Sequence, residues 1–100
     1  MTTVYVSGPM TGLPDHNYAA FAAAQARLEA EGYRVRSPHR IGQHEGWAWE
    51  DYMRRAVALL VQCDAIHMLP GWETSRGARL ELSIAQQLGF TVTCADRGES

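Results

Sequence analysis

A chain of 100 residues, 46% hydrophobic and 20% charged, has the make-up of a single globular domain spanning residues 1–100 and leaves no room for a second. Its net charge of -2 provides no basic stripe for reading nucleic acid, so no nucleic-acid partner is expected. All nine basic residues are arginine, and the absence of lysine rules out a phosphate-loop lysine and Schiff-base chemistry alike.

In chain order, Thr3 to Val6 is a short β-type run, stopped by Ser7-Gly8-Pro9-Met10-Thr11-Gly12. Pro14, Asp15 and Asn17 then supply helix-start chemistry. Tyr18, Phe21, Ala22, Gln25 and Leu28 mark a helical stripe that ends at Gly32. Tyr33 to Arg36 reads as a second strand. Pro38, Gly42 and Gly46 mark a loop from Ser37 to Gly46, after which Met53, Val57, Leu60 and Val61 restore helical spacing. Glu50-Arg54 and Asp51-Arg55 have the i,i+4 spacing of exposed pairs on that helix.

Asp64 opens a third strand, Ala65 to Leu69. Beyond the Pro70-Gly71 break, Thr74 or Ser75 caps a further helix with Gly77 and Ala78 in its first turn. Gly89 stops it, Phe90 to Cys94 is a fourth strand, and the last six residues are polar and expected to fray. Cys63 and Cys94 show no disulfide or zinc spacing and read as small core residues in a reducing compartment. The start of the chain lacks a signal-peptide pattern, and no apolar run reaches membrane-spanning length. The expectation is a cytoplasmic protein without a membrane partner.

Strands alternating with helices predict an α/β fold: a small doubly wound, Rossmann-like or flavodoxin-like parallel sheet of about four strands. The expected order is 2-1-3-4, with helices on both faces. Ligands bind such sheets beyond the carboxyl ends of the strands where the order reverses, here between strands 1 and 3. The loops that meet there are Ser7–Gly12 and Pro70–Ser75. The first offers hydroxyls and close backbone approach suited to phosphate or sugar oxygens, although a plain turn is a comparable reading. It is no dinucleotide fingerprint, because the glycine spacing is wrong and Arg36 stands where an acidic residue would close strand 2.

On the last helix Ala78, Glu81, Leu82, Ala85 and Leu88 share a face, so Glu81 interrupts an apolar stripe. A carboxylate there either borders a cleft or sits at the edge of the face bonding an arginine. Its nearness to the helix start favours the ionised form, the state a nucleophile needs. Trp72 either stacks on a flat base or caps the core or a subunit contact. Arg76 and Arg79 flank the helix start and are either phosphate contacts or solvated. His39 and His44 have no carboxylate at ligand spacing, so neither a metal nor a cofactor is expected. Trp47 and Trp49 read as lid or interface residues. With the second apolar stripe of Leu80 and Ile84 they suggest a homodimer or larger homo-oligomer.

Three blocks together resemble the nucleoside 2-deoxyribosyltransferase-like superfamily, and most closely its short members found in phages and bacteria. They are Tyr5-Val6-Ser7-Gly8-Pro9-Met10-Thr11-Gly12, Cys63-Asp64-Ala65-Ile66, and Leu69-Pro70-Gly71-Trp72-Glu73-x-Ser75-x-Gly77-Ala78-x-x-Glu81. The resemblance implies that Glu81 is the nucleophile attacking the anomeric carbon and that Tyr5 orients it. Substrate contacts would come from Ser7, Gly8, Pro9, Met10, Thr11, Gly12, Asn17, Trp72, Ser75 and Gly77. Six residues before Glu81 this chain carries Ser75, as do the superfamily's deoxynucleoside 5'-monophosphate N-glycosidases, in which that serine contacts phosphate. Eight residues before Asp64, where an Asp or Asn is common, it carries Ala56.

The expected activity is cleavage of the N-glycosidic bond of a deoxynucleoside or its 5'-monophosphate, by hydrolysis or transfer, on a small-molecule substrate. The alternative, motivated by Ala56, is a nucleotide-binding module of the same fold without the chemistry.

Overall fold

The computed structural model describes residues 2–42 and 44–95. Four strands, β1 (Thr3–Ser7), β2 (Arg34–Arg36), β3 (Ala65–Met68) and β4 (Thr91–Cys94), form one parallel sheet in the order β2-β1-β3-β4. Three helices alternate with them: α1 (Tyr18–Ala30), α2 (Trp49–Leu60) and α3 (Arg76–Gln87). Short 3-10 turns cover Pro14–Asn17, Pro38–Arg40 and Trp72–Thr74. This is the α/β topology expected from the alternation of elements. Parallel neighbours require a crossover, and each helix provides one.

Side chains alternate across the sheet, so β1 serves two cores. Val4 and Val6 join Val35, Ala65 and Leu69 beneath Phe21, Ala24 and Leu28 of α1. Tyr5 faces the other way, among Ile66, Met68, Leu60 of α2 and Ala78 and Ala85 of α3. The register sets Tyr5 beside Ile66 and Ser7 beside Met68. The carboxyl ends of β1 and β3 therefore finish level, on the face covered by α2 and α3.

Burial corrects several details of the predicted helix faces. In α1 the buried set is Phe21, Ala24 and Leu28; Ala22 and Gln25 are half-buried, and Tyr18 is 54% exposed with its ring edge-on to His39. In α2 it is Met53, Ala56 and Leu60, while Val61 is the residue that ends the helix and is half exposed. Leu88 lies at the end of α3 and is exposed for the same reason, because a residue past the last full turn has left the packed face. Cys63 is buried as expected, but Cys94 is exposed, as is every residue of β4, the edge strand of the sheet among the described residues. Asp51 pairs with Arg54 at i,i+3 instead of Arg55, whose guanidinium lies over Trp47. The expectation of a frayed tail covers residues 95–100: Ala95 donates its N–H to the Met68 carbonyl at 2.8 Å and is tied to the sheet, and residues 96–100 lie outside the described residues. Among the described residues no helix is long and apolar enough to cross a membrane.

Candidate functional site

The site is built from β1, the loop that follows it, and the start of α3. Ser7 is the last residue of β1, and Gly8 begins the loop in contact with the neighbouring strand end: a Cβ at Gly8 would lie 2.7 Å from Leu69 Cβ. Only a residue without a side chain lets the two strand ends stay this close. Asn17, just before α1, does not cap that helix; its amide donates to the Pro9 carbonyl at 3.0 Å and so pins the loop. Asp15, His16 and Asn17 have positive φ, which breaks the helix start predicted there. At α3, Ser75 and not Thr74 is the cap: its Oγ accepts from the Ala78 N–H at 3.2 Å.

From this start α3 turns Glu81 inward, to 5% exposure. The Tyr5 hydroxyl donates to Oε2 at 2.5 Å and the Ser7 hydroxyl to Oε1 at 2.6 Å. Both carboxylate oxygens are thus held by the strand side chains that point to this face. The sequence left open an arginine partner at the edge of the helix face; the partners are two hydroxyls instead.

Burial pushes Glu81 from an ordinary 4.5 up to about 7, against the opposing pull of the Ser7 and Tyr5 hydrogen bonds. The expectation of a carboxylate held ionised by the helix dipole is therefore corrected. Glu81 is the sixth residue of α3, and the dipole acts mainly within the first turn, so desolvation prevails. Tyr5 is raised well above the usual phenol value by burial and by the Glu81 charge.

Glu81 lines a cavity of about 530 Å³. Its wall includes Gly8, Pro9, Met10 and Thr11 of the first loop and Thr74, Ser75, Arg76, Gly77 and Ala78 of the α3 start. The two loops singled out in the sequence meet here. Gly77 leaves the space that lets α2 approach, since a Cβ there would lie 3.1 Å from Met53 Sδ. Pro38, Trp49, Tyr52 and Met53 form another part of the wall, with His16 completing the lining. The Arg76 guanidinium lies 3.7 Å from the centre of the Trp49 ring, joining α2 to α3.

Four expected contacts are placed differently. Ser7 is fully buried, spends its hydroxyl on Glu81 and does not line the cavity. Trp72 packs against the core cluster of Tyr5, Ile66 and Met68, and does not line the cavity. Its first reading as a base-stacking surface gives way to the second, a cap on the core, because the 3-10 turn at Trp72–Thr74 folds it onto that cluster. Gly12 is exposed and also lies outside the lining. Asn17 acts on the loop and not on the cavity itself.

Sequence reasoning missed Tyr52. Its hydroxyl is 3.3 Å from Met10 Sδ and from the Pro38 carbonyl, and burial with the Glu81 charge pushes the phenol up to about 12. The available signal was spacing: Tyr52 stands three residues after Trp49 and four before Ala56, on one face of the helix. Ala56 itself is fully buried. Among the described residues, no cluster of three His, Cys, Asp or Glu side chains is placed to hold a metal ion.

Solved structures of similar shape include a 2-deoxyribosyltransferase from Leishmania mexicana, with 20% identity and a TM-score of 0.72 over 94% of this chain. A 2-deoxyribosyltransferase from Bacillus psychrosaccharolyticus matches at 19% identity and 0.70 over 92%. A conserved protein from Enterococcus faecalis V583 matches at 21% and 0.68 over 94%. The chain spans 63%, 70% and 62% of the lengths of these three proteins. At such identities the likeness establishes the nucleoside 2-deoxyribosyltransferase-like fold. No curated protein matches the sequence. The model of a family described as a domain of unknown function, DUF4406, matches residues 2–94, nearly the whole chain, and the chain belongs to that family.

Proposed function

We propose that the protein cleaves the N-glycosidic bond of a deoxynucleoside or its 5'-monophosphate, with Glu81 as the nucleophile. The observation that carries this reading is the buried Glu81 carboxylate, bonded at one oxygen by Tyr5 and at the other by Ser7, in the wall of a cavity of nucleotide size. Titrating near neutrality, the group is ionised in a substantial fraction of molecules at pH 7 and needs no further base.

In the first step a Glu81 oxygen bonds to the anomeric carbon as the carbon–nitrogen bond breaks, and the electron pair leaves with the base. Water then attacks the same carbon and releases the Glu81 carboxylate; a second base in place of water makes the reaction a transfer. Tyr5 and Ser7 aim the carboxylate throughout. Ser75 uses a lone pair as the α3 cap, so its proton remains for a phosphate oxygen, and the helix start and Arg76 add positive potential there. The 2-deoxyribosyltransferases among the structural neighbours support the same reaction class.

The test is release of free base from the deoxynucleosides and their 5'-monophosphates, followed chromatographically. Glu81→Gln is expected to bind ligand and release no base. A second reading, a binding module without chemistry, is favoured by one observation, the fully buried Ala56, which brings no polar group to the cavity. Saturable nucleotide binding with no base release from the unaltered chain selects it.

A further inference from the structure

Resting on the glycosidic reading of the Glu81 site, we propose that Tyr52 is a catalytic residue whose hydroxyl donates a hydrogen bond to the departing base. The contact falls on the ring atom where the electron pair of the broken bond accumulates. Tyr52 lies on α2, on the cavity wall formed by a different element from the one that carries Glu81. The two are close enough for the Glu81 charge to bear on the phenol. Attack moves negative charge off Glu81 and onto the base, so a donor already held on the cavity wall meets that charge without having to be reoriented.

The phenolic proton is under-used in the ligand-free chain. It has two acceptors, Met10 Sδ and the Pro38 carbonyl, and neither is nearer than 3.3 Å. A full-strength O–H···O bond is about 2.7 to 2.8 Å long, and one proton serves only one such bond. The other hydroxyls on the cavity wall are placed differently: Thr11 and Thr74 are exposed, and Ser75 caps α3. Beside Tyr52 the wall is Pro38 and Met53, apolar surface suited to a flat ring.

Burial keeps the phenol protonated across the neutral range, so it acts as a donor and not as a base. The proton stays on Tyr52. The base leaves as a hydrogen-bonded anion and takes a proton from water on release, while Glu81 holds the sugar as an ester until water cleaves it.

The experiment compares two leaving groups of different charge: guanine against 7-methylguanine, or cytosine against 3-methylcytosine, each as the deoxynucleoside 5'-monophosphate. The methylated base is cationic before cleavage and departs neutral, so it needs no donor. Tyr52→Phe keeps the ring and is expected to lower kcat/KM about 10- to 100-fold for the ordinary base and by less than about threefold for the methylated one. Placing 3-fluorotyrosine at position 52 strengthens the donor without removing it, and is expected to raise the first rate and leave the second alone.

Equal losses on both substrates, or no loss on the ordinary one, overturn the role of Tyr52 and leave Glu81 untouched. Base release that survives Glu81→Gln overturns the underlying reading. Failure of the unaltered chain to cleave either member of both pairs overturns both.

Discussion

The Ser7 hydroxyl donates to Glu81 Oε1 at 2.6 Å, tying the end of the first strand to the last helix across 74 residues of chain. With Tyr5 on the other oxygen, both carboxylate oxygens are held from the sheet, and their direction is fixed by a strand buried at every position after its first. A side chain pinned this way has little freedom left to lose on binding a ligand. Its charge, however, is set by the contest between burial and those two bonds.

That contest is open to measurement. With Glu81 as the proposed nucleophile, active only when ionised, activity is expected to rise with pH through a midpoint near 7 and then level off. Tyr5→Phe and Ser7→Ala each delete a bond that favours the ionised form, so each moves the midpoint upward and lowers kcat/KM at pH 7 by about tenfold or more. A profile of kcat/KM against pH reads both effects. A midpoint that stays put in both variants speaks against the hydroxyls as the tuning groups.

Glu81 also makes stability depend on pH in an unusual direction for a carboxylate. Its folded value of about 7 lies above the 4.5 of an exposed glutamate, so between those values the folded chain binds more protons than the unfolded one. Stability contributed by the protonated group is complete below about 4.5 and is lost as pH rises through 7. Glu81→Gln, which has no charge to bury, is expected to be more stable than the parent by about 1 to 3 kcal/mol at pH 8, with the gap closing toward pH 5. Denaturant melts at the two pH values check this; a gap that widens on acidification contradicts it.

Gly8→Ala is expected to destabilise the fold by about 1 to 3 kcal/mol through overpacking, because the new methyl meets Leu69 Cβ at 2.7 Å. Leu69 is buried in the α1 core and has little room to retreat. Thermal unfolding reports the loss. A variant as stable as the parent shows that the strand ends separate freely.

Ser75→Ala removes the α3 cap and is expected to cost about 1 kcal/mol of stability. If the hydroxyl also meets phosphate, affinity falls further for a deoxynucleoside 5'-monophosphate than for the corresponding nucleoside. Calorimetric titration with the two ligands separates these effects, and parallel losses confine Ser75 to capping.

Much of this was legible in the sequence because it is local. The alternation of strand runs with 3.6-residue spacing defines the elements, and short connections with a right-handed crossover leave few orders for four parallel strands. The break at Pro70-Gly71, a cap at Thr74 or Ser75 and the apolar stripe of α3 single out Glu81 near the Ser7 loop, with a cleft and an arginine partner both left open. Where the local pattern misled, the cause was where an element ends or what packs against it, which spacing along the chain does not show. Leu88 runs past the packed turn, and Cys94 stands exposed on the edge strand β4.

By itself, then, the sequence determined the class of fold, the strand order, and the acidic residue that interrupts the apolar stripe of α3, since each follows from the period of apolar residues and the chemistry of turns. Only the tertiary structure decided what surrounds that residue: the two hydroxyls that hold it, the cavity wall that includes Tyr52, and a proton affinity lifted toward neutrality. Those are matters of distance and of excluded water. They exist only once β1, α2 and α3, far apart along the chain, have been brought to the same edge of the sheet.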